Sequence, residues 1–136
     1  MKKLTLVTLA ASVALAVSGC GGGGAYLPKN ANKYNQETNA KFVLLDPGTQ
    51  RSVTCSGLQE RRLEDGRLEV VANLRNRENR RIEVQVDCVF KDEQHFAVDQ
   101  TPFQIVMLTE NAIEGIRFVS MNDKAKNYTV RVRQSR

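Results

Sequence analysis

The sequence is poor in the residues that carry most enzyme chemistry. Among 136 residues there are one histidine, no tryptophan, three prolines and three cysteines. A lone imidazole, His95, leaves a histidine-based metal cluster or a Ser-His-Asp triad without a spare partner. It stands in a predicted turn beside Asp92 and Glu93, where it reads as a solvated turn residue. The paired carboxylates, Glu64/Asp65 and Asp92/Glu93, also fall at turn tips. General acid–base work needs burial or close like-charge coupling to move a pKa, and a turn tip offers neither. Gly21 to Gly24 are not a phosphate loop, because no strand precedes them and no helix follows. These shortages point away from an enzyme, from a bound metal and from any non-covalent cofactor.

Strong charge of one sign is also missing. The chain carries 20 Lys and Arg against 15 Asp and Glu. Removing residues 1–19 takes away Lys2 and Lys3 and leaves 18 against 15, a net +3. That suits solubility and weak attraction to anionic surfaces, and it falls short of the basic signature of nucleic-acid binders. Only one apolar run approaches membrane length. No internal repeat is present, and the residues left after processing are enough for one domain.

That one run organises the chain. Lys2 and Lys3 form a basic start, and Leu4 to Val17 is an uncharged stretch of fourteen residues. As a helix it is about 21 Å long at roughly 1.5 Å per residue, shorter than the roughly 20 residues a spanning helix needs. Ser18 and Gly19 supply the small residues of a cleavage site. Val17-Ser18-Gly19-Cys20 resembles a bacterial lipobox. The resemblance implies a signal peptide over 1–19 and diacylation of the Cys20 thiol by fatty chains such as palmitate. It also implies a third acyl chain on the new amine. One acyl chain binds a bilayer only marginally, at about 0.8 kcal/mol per buried methylene, so two or three give firm attachment. Gly21 after the lipidated cysteine, by the same resemblance, implies the outer membrane, with the protein facing the periplasm.

Residues 20–40 are rich in glycine, asparagine and other polar types. They read as a flexible linker with a reach of about 25 Å at roughly 5–6 Å × √n, and an edge strand near Tyr34 is the alternative. From Lys41 to Arg136 the pattern changes to short strands. Phe42 to Leu45 is an apolar run stopped by Asp46-Pro47-Gly48, a turn sequence. Gly57 interrupts the next run, where a bulge or kink is expected. Asp65-Gly66 is a hairpin signal. Leu68, Val70, Ala72 and Leu74 alternate with Glu69, Val71, Asn73 and Arg75. Ile82, Val84, Val86, Cys88 and Phe90 alternate with Glu83, Gln85, Asp87, Val89 and Lys91. In the last strand Tyr128, Val130 and Val132 are the expected core residues, with Thr129, Arg131 and Arg133 turned outward. A period of two over such lengths is what a sheet with one buried face requires. The expected fold is an all-β antiparallel sandwich of seven or eight strands.

Cys55 and Cys88 form an even pair in an oxidising compartment, a candidate disulfide. In a flat meander they lie roughly 23 Å apart at about 3.3 Å per residue, too far to bridge. A bend at Ser56-Gly57 brings both into the core; otherwise they are two small buried hydrophobes. Arginine is the one unusual usage. Arg75, Arg77, Arg80 and Arg81 gather at one predicted hairpin tip, and Arg131 and Arg133 line the last strand. Arginine suits bidentate contacts with carboxylate or phosphate. On one edge the two groups would make an anion- or partner-binding surface. Balanced by Glu69, Glu78 and Glu83 they would be a solvated face that blocks strand-to-strand aggregation.

The run Leu68-Glu-Val-Val-Ala-Asn-Leu-Arg-Asn76, the run Ile82-Glu-Val-Gln-Val-Asp-Cys-Val-Phe-Lys-Asp92 and the closing Tyr128-Thr-Val-Arg-Val132 are similar to the YcfL family of small bacterial lipoproteins. Glu93-Gln94 departs from the glycine usual there. The resemblance implies an immunoglobulin-like sandwich on the periplasmic side and carries no functional residues. The expectation is a lipid-anchored, non-catalytic binding or structural accessory of the cell envelope. Its partners would be the membrane, through the lipid, and an envelope protein or anionic glycan, with nucleic acid excluded. Alternatives are a regulatory or assembly lipoprotein for peptidoglycan synthesis or a pilus, and an arginine-based module for lipopolysaccharide or glycan.

Overall fold

The computed structural model describes residues 40–135; the predicted signal peptide, Cys20 and most of the linker lie outside the described residues. The chain folds as β1 (Phe42–Leu44), α1 (Pro47–Ser52), β2 (Val53–Arg62), β3 (Leu68–Asn76), β4 (Ile82–Lys91), β5 (Ala97–Gln100), β6 (Gln104–Leu108), β7 (Ile113–Val119) and β8 (Asn127–Gln134). Two sheets face each other. One has the order β2-β3-β7; the other runs β1-β8-β4, with β5 and β6 both pairing the far edge of β4. This is the all-β sandwich expected from the alternation, of the immunoglobulin-like kind that the family resemblance implies.

The apolar rows meet between the sheets. Val70, Ala72 and Leu74 of β3, with Ile116 and Phe118 of β7, pack against Val86, Cys88 and Phe90 of β4 and Tyr128, Val130 and Val132 of β8. Truncating such a side chain, Leu74 for instance, costs about 2–5 kcal/mol. The bulge falls at the expected place, with the β2–β3 register slipping between Cys55 and Gly57. Gly66, at φ +86, turns the β2–β3 hairpin in a conformation that side chains resist.

Three local features differ from the sequence reading. The Asp46-Pro47-Gly48 turn opens a short helix, because Asp46 accepts from the Thr49 amide at 2.8 Å and Pro47 occupies the first turn. The β1–β8 ladder is parallel, so the sandwich is not antiparallel throughout. And β3 and β4 are not a hairpin: residues 77–81 carry the chain from one sheet to the other. Asn76, fully buried, pins that crossing. Its Nδ2 donates to the carbonyls of Arg80 (2.8 Å), Leu108 (3.1 Å) and Thr109 (3.0 Å), while its Oδ1 accepts from the Glu78 amide (2.9 Å). A buried amide with this many partners favours the crossing over a tight turn.

Candidate anion-binding site

At the crossing end of the sandwich, α1, residues 78–84 and the end of β8 enclose an open cavity of about 820 Å³. Asp46 assembles its wall. One carboxylate oxygen caps α1, and the other accepts from the Gln134 amide at 2.7 Å, tying the helix to β8. The Arg77 amide donates to the Ser52 carbonyl at 2.8 Å, tying the crossing to the end of the helix. Arg51, Arg80 and Arg81 line the cavity together with Glu78 and Glu83.

The charges are unequal in their freedom. Glu78 accepts from the Ser52 hydroxyl and from Arg80 Nε. The Ser52 hydrogen bond first, then the Arg80 bond, holds its carboxyl below the usual range. Glu83 accepts from the Ser135 hydroxyl. Arg51 and Arg81 make no ion pair with any described residue, although the Arg51 charge also reaches Glu78 and adds to the lowering of its pKa. Two exposed guanidinium groups in a concave wall can take a carboxylate or phosphate in bidentate fashion.

The predicted arginines therefore separate. Arg80 and Arg81 line the cavity, and Arg51 joins them. Asp46-Pro47-Gly48 has the composition of a turn and so gives no sign of Arg51; the same residues start a helix, and that helix brings Arg51 into the cavity lining. Arg77 is exposed at the crossing but outside the lining. Arg75 sits exposed on β3, in register with Ile113 of β7. Arg131 and Arg133 are on the outer face of the other sheet, so the two groups do not share an edge.

Arg131 is a correction. It points away from the core, as the alternation requires, yet it is only 1% exposed. It stands opposite Asp87 in the β4–β8 register, donates to Asp87 through Nε at 2.9 Å and also through Nη2, and lies against the Phe103 ring at 5.4 Å. Its Nη1 is buried without a hydrogen-bond partner. A guanidinium committed in this way is structural and cannot greet a ligand. Arg133 is half-buried, donates to Gln85 at 2.7 Å and stacks on Phe103 at 3.7 Å.

Cys55 and Cys88 are both free thiols. Cys55, half-buried, turns its Sγ to the Gly57 carbonyl at 3.3 Å across the bulge. Cys88 is sealed in the core, where burial drives its pKa far up. Desolvation likewise pushes the Tyr128 phenol up to about 12. His95 is exposed at φ 65 in a turn held by Asp92, whose Oδ1 accepts from the Gln94 and Phe96 amides at 2.9 Å. Among the described residues no three His, Cys, Asp or Glu side chains are grouped to hold a metal. Asp65, held by the backbone and side chain of Arg67, lies below the carboxylate range and so is the opposite of a poised acid.

What this geometry defines is a two-sheet sandwich with an arginine-lined end. No family model and no curated protein matches the sequence. Among solved structures, the chain is similar to cj0090 of Campylobacter jejuni, with a TM-score of 0.60 and 15% identity over 72% of this chain and 100% of that one. It is also similar to a DUF1425 family member from Shewanella sp. pv-4, with a TM-score of 0.56 and 16% identity over 62% of this chain and 79% of that one. At such identities the likeness is one of fold.

Proposed function

We propose that this chain is an envelope lipoprotein, kin to the YcfL family, anchored in the outer membrane through acylated Cys20 and facing the periplasm. Its sandwich is a non-catalytic binding module that takes an anionic group at the cavity of Arg51, Arg80 and Arg81. The observation that carries the binding role is the pair of cavity arginines, Arg51 and Arg81, left without ion pairs in a wall built by Asp46 and the 77–81 crossing. The anchor rests on the Val17-Ser18-Gly19-Cys20 sequence and the short apolar run before it. Among the described residues no helix is long and apolar enough to cross a membrane.

Two measurements test the reading in its separate parts. Cys20→Ser should release the full-length chain from the membrane fraction and remove the mass of the acyl chains; unchanged fractionation and mass would end the anchor. Sacculi and lipopolysaccharide should retain the full-length chain. Arg51→Glu with Arg81→Glu should weaken that retention by roughly ten-fold or more, as the loss of charge-assisted bonds predicts, while Arg75→Glu should leave it in place. Equal retention of the two variants would end the cavity's role.

A further inference from the structure

The edge strand β6 differs from the other edges of the sandwich. β2 ends in Glu60, Arg61 and Arg62, β7 carries Glu114 and Arg117, and β5 carries Asp99. β1 has only three residues and is flanked by Lys41 and Asp46. β6 reads Gln-Ile-Val-Met-Leu, with no charge and no proline, and among the described strands it pairs β4 alone. Natural edges are usually blocked by charge, shortness or proline, so an unblocked edge is available for another strand. Its two outward side chains, Ile105 and Met107, are 63% and 48% exposed.

We infer that β6 pairs antiparallel with β6 of a second copy of this chain, about a two-fold axis at Val106. The register is self-complementary. With Val106 on the axis, Ile105 of each copy lies opposite Met107 of the other, so four exposed apolar side chains close into one cluster on the outer face. The β4–β6 ladder continues that row: Gln85 pairs Ile105, and Glu83 pairs Met107. A closed two-fold contact of this kind also removes the open edge.

The test uses the full-length chain in cells, with a photo-crosslinking residue in place of Gln104 and two differently tagged copies expressed together. Irradiation should give an adduct of twice the chain's mass that carries both tags. Ile105→Lys with Met107→Lys sets lysines opposite lysines and should cut that adduct by roughly ten-fold or more, as should Ile105→Glu with Met107→Glu. Both positions are exposed, so the fold is spared. Copies of the first variant mixed with copies of the second place opposite charges across the axis and should restore the adduct. No two-tag adduct in the parent chain, an adduct only with a different protein, or no recovery in the mixture would each overturn the pairing.

Discussion

The outer faces of the two sheets each hold a carboxylate opposite an arginine, and they use the pair in contrasting ways. On the β2-β3-β7 sheet, Glu69 lies opposite Arg61 in register and bonds Arg61 at 2.9 Å and Arg117 at 2.5 Å, but both guanidinium groups are largely in water. On the other sheet Asp87 lies opposite Arg131, and both are sealed, with Gln100 Nε2 adding a bond to Asp87 Oδ2 at 3.0 Å and Phe103 closing over the guanidinium. Glu69 is itself covered, so the two rows, with the same register chemistry, differ in how far their guanidinium groups are covered. Where both guanidinium groups stand in water, as around Glu69, the pair is largely screened and contributes little. A sealed pair has lost its water and depends on every remaining partner. Cover decides the energetics, and the ion pair itself does not.

The largest effect expected from this contrast is at Asp87. Asp87→Ala leaves Arg131 charged and buried, and should lower unfolding free energy in urea by about 3–5 kcal/mol. Asp87→Leu with Arg131→Met removes both charges and should recover most of that loss; a double variant as unstable as the single one would break the comparison. A smaller change is expected for Gln100→Ala, which removes one bond to the carboxylate and should cost about 1 kcal/mol in the same titration. The smallest belongs to Glu69. The side-chain bond from Arg117, and then its charge, hold the Glu69 carboxyl below its ordinary value of 4.5. A depressed folded pKa adds stability that is present above 4.5 and lost as the pH falls through the folded value. Glu69→Gln should therefore lose that small contribution at neutral pH, less so in high salt, and should flatten the acid limb of the stability profile below 4.5. An unaltered acid limb would mean the exposed pair carries nothing measurable.

Much of the fold was legible because strand alternation is local. The core residues expected from β3, β4 and β8 are in the core, except that Ile82 at the start of β4 is only partly buried against it; Gly57 marks the bulge, and Asp65-Gly66 makes the hairpin. The candidate site was legible only in part. Arg80 and Arg81 could be picked out by their density, but Arg51 joins them only through α1, and Arg131 leaves the set only because Phe103 and Asp87 enclose it. Alternation tells which way a side chain points; it does not tell what lies above it. The 77–81 segment has the composition of a turn, and whether it closes a hairpin or crosses between sheets depends on Asn76 meeting carbonyls thirty-odd residues away.

The sequence by itself determined the fold class, the inward faces of the main strands, the bulge at Gly57 and the Asp65-Gly66 hairpin, since these follow from side-chain period and from the backbone freedom of glycine. Only the tertiary structure decided which strands share a sheet, which arginines line a cavity and which one is sealed. Those outcomes rest on contacts between residues far apart in the chain, where burial changes the worth of the same charge several-fold.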